Sequence, residues 1–148
     1  MYFEDFTVGL IIKTKPKIIT KSEIIDFAKN YDPQRFHVDE QAAKDGPFGK
    51  LVSSGFMTLG KSFTQFFETG VIDETGMGAW GIDELRWIKP VYPEDTLITK
   101  VEVLEKKLSS KNPNKGTVRT RQTVFNQKNE IVMTWISNFL IKSQAQIN

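Results

Sequence analysis

Apolar positions along this chain recur first at a spacing near 3.6 and later at a spacing near 2, so helices are expected before strands. Residues 7–19 mix β-branched residues with lysines around Pro16, which suits an edge strand or an extended entry segment. Thr20-Lys21-Ser22-Glu23 then reads as a capping box: the threonine oxygen meets a free backbone N–H while Glu23 reaches back. The apolar face that follows, Ile24, Phe27, Ala28 and Tyr31, predicts a short amphipathic helix. Asp32-Pro33 should end it, because proline disfavours helical geometry in the residue before it. A second helical turn is expected over His37 to Ala43, with Asp39 near its start, before the breakers Asp45-Gly46-Pro47-Phe48-Gly49.

Phe56, Leu59, Gly60, Phe63, Phe66 and Phe67 recur at helix spacing and mark residues 56–68 as the central buried helix, with Gly70 as its stop. The period then changes, and extended runs are expected at about 77–88, 96–107, 116–126 and 130–142. Val118, Thr120, Gln122 and Val124 alternate with Arg119, Arg121, Thr123 and Phe125, and residues 126–129 supply a turn, so the last two runs read as an antiparallel hairpin. Ser109 to Gly116 is a loop between strands, and Gly76-Met77-Gly78 reads as a turn, too short for a dinucleotide loop. Helices followed by a meander of long strands argue for an α+β fold in which one sheet wraps a helix, with residues 1–148 as a single domain.

Composition narrows the chemistry. The chain has 148 residues, no cysteine and one histidine, which removes disulfides, thiolate metal sites, cysteine nucleophiles and a multi-histidine metal site within one chain. A formal net charge of +2 gives no general pull toward nucleic acid or an anionic membrane. The basic run Lys106, Lys107, Lys111, Lys115, Arg119 and Arg121 can attract phosphates, including those of coenzyme A, but reads first as a solvated hairpin and lacks interleaved aromatic rings. Acids at the N-terminus and the absence of a long apolar run predict a cytoplasmic protein with no membrane insertion.

The informative stretch is Tyr31-Asp32-Pro33-Gln34-Arg35-Phe36-His37-Val38-Asp39, followed by Ala43 and by Ser54-Gly55 opening a helix. It resembles the MaoC-like dehydratase family, which includes the (R)-specific enoyl-CoA hydratases, whose signature runs Gly-Asp-x-Asn-Pro-aliphatic-His with a small residue six places on. Asp32, His37 and Ala43 match, and residues 81–97 resemble the family's later strand and turn. Tyr31, Gln34, Arg35 and Phe36 depart from the signature, although Gln34 keeps an amide.

The resemblance implies a hot-dog fold and a homodimer in which the acyl-pantetheine arm enters near the subunit interface. It also implies reversible hydration of a 2-enoyl thioester in fatty acid metabolism, with no cofactor or metal beyond the coenzyme A or carrier-bound pantetheine of the substrate. Asp32 and His37 would be the catalytic pair, holding one water and moving its proton. Gly55 N–H at a helix N-terminus would face the developing oxyanion, with Gln34 and Ser54 as further substrate-binding candidates. Two rivals stay open on the same scaffold: a thioesterase using a carboxylate to activate water, and a non-catalytic module that binds acyl thioesters.

Overall fold

A computed structural model describes residues 1–144. The entry segment forms two short strands, β1 (Ile11–Lys13) and β2 (Lys17–Ile18), one on each side of Pro16. Three helices follow, α1 (Lys21–Tyr31), α2 (Arg35–Val38) and α3 (Glu40–Lys44), and then the long helix α4 (Gly55–Phe67). Four long strands complete the domain: β3 (Gly76–Trp87), β4 (Thr96–Leu108), β5 (Lys115–Phe125) and β6 (Ile131–Lys142). The sheet order is β1-β4-β5-β6-β3, every pairing is antiparallel, and β2 also pairs with β4. Among the described residues no helix is long and apolar enough to cross a membrane.

The capping box forms as the sequence dictates: Thr20 accepts from Glu23 N–H, and Glu23 returns a bond to Thr20 N–H at 3.0 Å. Ile24 and Ala28 of α1 are buried, but Tyr31 is 74% exposed and rests on Phe27 instead of the core. The single turn expected over 37–43 is two short helices, divided at Asp39, whose carboxylate caps Gln41 and Ala42 N–H. Gly76-Met77-Gly78 is strand, not turn. The register with β6 shifts between Gly76 and Ala79, so a bulge absorbs these residues at the sheet edge.

The concave face of the sheet holds α4. Val118, Thr120, Gln122 and Val124 of β5 point inward, in register with Phe139, Ser137, Trp135 and Met133 of β6. Phe63 and Phe66 pack on Phe139, and Phe63 also meets Trp135. The helix also buries polar atoms against the sheet. Trp135 Nε1 donates to Ser62 Oγ at 3.1 Å, and Ser62 Oγ lies 3.1 Å from Thr99 Oγ1. Thr99 Oγ1 is 2.9 Å from Gln65 Oε1, while Gln65 Nε2 donates to the Leu97 and Lys15 carbonyls. Ser62, Gln65, Thr99 and Trp135 are all at most 1% exposed, so each of these bonds replaces water that is not there.

Gln65→Ala leaves the Leu97 and Lys15 carbonyls and Thr99 short of partners; it should cost about 2–3 kcal/mol of unfolding free energy. A urea melt checks this, and an unchanged midpoint would show that the network does not anchor the helix.

Candidate functional site

Asp32 sits where α1 ends. Its backbone N–H still closes a helical bond to Ala28, but at φ −156° it has left helical geometry, as the following proline requires. Gln34 Nε2 donates to one carboxylate oxygen at 2.8 Å and Ser54 Oγ to the other at 2.7 Å. Ser54 is also the N-cap of α4, accepting from Phe56 N–H at 3.2 Å. One hydroxyl therefore joins the Asp32 carboxylate to the start of the central helix, although the two residues lie 22 positions apart.

His37 lies in the one-turn helix α2 and is 5% exposed. Its Nδ1 is 2.7 Å from the Val52 carbonyl, which can only accept, so Nδ1 carries the proton and Nε2 is left for chemistry. Nε2 faces Asp32 Oδ2 at 3.3 Å. The strap carrying that carbonyl is itself pinned: Val52 N–H donates to Phe36 O and Ser53 N–H to Val91 O. Ring orientation is thus set by backbone groups, while Phe36 packs edge-on against the imidazole with centroids 4.5 Å apart.

Burial pushes the Asp32 carboxyl up. Hydrogen bonds from Gln34 and Ser54, with the charge available on His37, outweigh it and hold the group below its ordinary value. Asp32 is a carboxylate at neutral pH, suited to orient a water or steady an imidazolium and unsuited to donate a proton.

Both residues border a cavity of about 430 Å³. Its other walls are largely apolar, from Phe36, Phe48, Phe56, Val91, Val132 and Trp87. Gly55 lines it as the first residue of α4, where the initial N–H groups lack intrahelical acceptors. No partner bonds the Gly55 N–H among the described residues. A β-carbon here would come within 2.4 Å of the Trp87 indole, so glycine is what allows that ring to lie on the helix start. The close approach expected of a substrate is made in this structure by Trp87, which is 49% exposed.

Asp32, His37, Gln34 and Gly55 thus meet at one cavity, whereas Ser54 is fully buried behind Asp32 and does not line it. The hydrogen bonds of both Gln34 and Ser54 go to Asp32, which makes them holders of the carboxylate in this arrangement. Arg35 does not line the cavity either, while Phe36 does, so of these two signature departures only the bulky one alters its walls. Phe56 and Trp87 were not expected at the site. Phe56 follows the helix-spacing pattern of the core, yet it is 58% exposed and meets Trp87 edge-on at the cavity. The Val52 carbonyl leaves no trace in side-chain identity.

Residues 7–126 match the model of the MaoC like domain. The chain is 37% identical over 142 residues to the uncharacterized protein YdeM of Bacillus subtilis (strain 168), covering 96% of this chain and 99% of that protein. It is 31% identical over 97 residues to protein MaoC of Klebsiella aerogenes, a match that covers 65% of this chain and only 28% of that longer protein. Its structure is similar to that of the MaoC-like dehydratase from Rhodospirillum rubrum, with a TM-score of 0.90 and 29% identity over 97% of this chain and 98% of that one. The antiparallel sheet wrapped on α4 is accordingly the hot-dog fold.

The hydrogen bonds to Asp32 favour its ionised form, so its stabilising contribution is present above the ordinary carboxylate range and is lost as pH falls through its depressed value. Ser54→Ala should move the Asp32 titration upward, read by carbon NMR of the labelled carboxyl. A midpoint that stays where it was would show that the hydroxyl does not hold the charge.

Proposed function

The chain belongs to the family of MaoC-like domains, and from that premise we propose that it is a hydratase/dehydratase that adds water reversibly to a 2-enoyl thioester of coenzyme A or an acyl carrier protein. The observation that carries this reading is the pairing of His37 Nε2 with the Asp32 carboxylate at the wall of an apolar cavity that also exposes the start of α4. A conjugated acyl chain fits such walls, and the reaction needs one proton-moving group and one site for negative charge.

A water touching both His37 Nε2 and Asp32 gives its proton to Nε2 as its oxygen bonds the β-carbon. Electrons move from the double bond toward the thioester carbonyl, and the enolate oxygen is met by the Gly55 N–H and the positive end of the α4 dipole. The imidazolium, steadied by ionised Asp32, then returns a proton to the α-carbon, so water is added without net change in the protein. Dehydration runs the same steps backwards. The thioester has to come in beside the Trp87 ring, or displace it, to reach Gly55.

The same reading favours a homodimer. β3 is an edge strand of 12 residues, and Met77, Ile82 and Trp87 along it are 44–49% exposed. A long apolar edge with unpaired backbone groups invites a second strand, and an antiparallel copy of itself satisfies both.

Incubation with crotonyl-CoA and longer enoyl-CoAs should consume conjugated absorbance without releasing free thiol, and Asp32→Asn and His37→Ala should each slow this at least about 10²-fold. Thiol release would point to a thioesterase instead, and undiminished hydration in both variants would sink the mechanism. Light scattering after gel filtration should give twice the 16.9 kDa chain mass, and Ile82→Lys should shift the population toward monomer. A wild-type monomer at tens of micromolar would rule out the paired edge.

A further inference from the structure

The outer face of the sheet, opposite α4, carries a second cavity of about 430 Å³ that shares no residue with the first. Its base is a cross-strand row, Lys107 on β4 opposite Thr117 on β5 opposite Leu140 on β6, beside the row Glu105, Arg119 and Asn138. These positions alternate with the inward-facing Gly116, Val118 and Thr120, so their side chains stand on the outer side. Trp80 of the edge strand closes one wall. Its indole N–H is 3.4 Å from Thr117 Oγ1, while the residue as a whole is 63% exposed. The ring is tethered at one edge and open to solvent.

The opposite wall is the turn between β4 and β5, and it is built rather than loose. Ser109 N–H donates to Lys115 O, Ser109 Oγ accepts from Lys111 and Asn112 N–H, and Asn114 O accepts from Ser143 N–H at the end of β6. The turn brings Lys111 and Lys115 to the same cavity as Lys107 and Arg119, facing one carboxylate, Glu105. Among the described residues the three lysine ammonium groups make no ion pair, in contrast to Lys17, Lys21, Lys61 and Lys89 elsewhere on the surface. Arg119 holds Asp83 at 3.2 Å yet leaves its Nε without a partner.

Unpaired cations gathered on a structured turn create a site for clustered negative charge, and an open indole face is a platform for a flat heterocycle. The volume falls in the range of small-molecule sites, roughly 300–1,000 Å³. We propose that this cavity binds a purine nucleotide bearing two or more phosphates, with the base on Trp80 and the phosphates among Lys107, Lys111 and Lys115. The nucleotide is either free or the nucleotide end of a larger coenzyme. A nucleic-acid strand fits less well, because successive bases need a series of rings and, among the described residues, Trp80 is the single aromatic residue lining the cavity. The proposed pairing of two β3 edges would run through backbone groups in the plane of the sheet, perpendicular to the side chains of this face.

The full chain is titrated by calorimetry with ADP, adenosine 3′,5′-bisphosphate, adenosine, inorganic phosphate and a mixed-sequence single-stranded oligonucleotide, with no turnover involved. ADP or the 3′,5′-bisphosphate should bind saturably at one site per chain, and adenosine and phosphate alone at least about tenfold more weakly. Preference for ADP indicates a free nucleotide; preference for the 3′,5′-bisphosphate indicates the coenzyme end. Trp80→Ala and the double variant Lys111→Ala/Lys115→Ala should each weaken binding about tenfold or more, and Trp80→Phe, which keeps a stacking face, should restore most of the first loss. Far-UV circular dichroism confirms that the variants are folded. Binding of neither ADP nor the 3′,5′-bisphosphate, affinities untouched by these variants, or tighter binding of the oligonucleotide than of either of these two nucleotides overturns the proposal. None of these outcomes depends on whether the first cavity hydrates a thioester.

Discussion

The hydrogen-bonded group formed by Ser62, Gln65, Thr99 and Trp135 is the constraint on which the rest of the molecule depends. Apolar packing alone tolerates small rotations and slides of a helix over a sheet, since one methyl contact replaces another. Buried polar atoms do not tolerate them, because each displaced donor or acceptor is left in a place where water cannot reach. The network therefore sets where α4 lies along the sheet. Through helix geometry it also sets where Ser54 and Gly55 emerge, about two turns N-terminal to Ser62.

From that end of α4 the candidate site is assembled by short polar links. Ser54 caps the helix and holds Asp32 with the same oxygen, so the charge at the cavity wall and the helix start are positioned together. Val52, two residues earlier, is fastened to Phe36 through its N–H and orients His37 through its carbonyl. The two titratable groups thus hang from adjacent points of one strap, 51–54, and not from each other. Their separation of 3.3 Å follows from that common anchorage. Aromatic rings then close the polar pair off on one side, with Phe36 against the imidazole and Trp87 on Gly55.

The two faces of the sheet divide the remaining chemistry. Inward positions of β5 and β6 are buried and carry the core, whereas the outward positions of β5 include Lys115, Arg119 and Arg121, whose stems cover the sheet. On that outer face the charges are unevenly distributed. Asp83 and Arg119 pair near the middle of β3, while the lysines about the Ser109 turn are left facing solvent beside Trp80.

Much of this could be read from the chain by itself. The capping box at Thr20 and Glu23, the break at Asp32-Pro33 and the alternation of Val118 through Val124 are local rules, settled by the steric and hydrogen-bonding needs of a few neighbouring residues. Asp32 and His37 were legible because side-chain identity at fixed spacing carries the family signature, and Gly55 because Ser54-Gly55 opens the helical pattern that follows. What the chain alone did not reveal depends on residues far apart in sequence. Burial cannot be inferred from helical spacing at Phe56 and Tyr31, because whether a face is covered depends on what the fold brings over it. The turn expected at Gly76 became strand because β6 pairs with it from some 65 residues away. The Val52 carbonyl, the redirection of Ser54 and Gln34 toward Asp32 and the seat of Trp87 on Gly55 were decided only by tertiary structure, since backbone acceptors and cross-chain contacts have no local code.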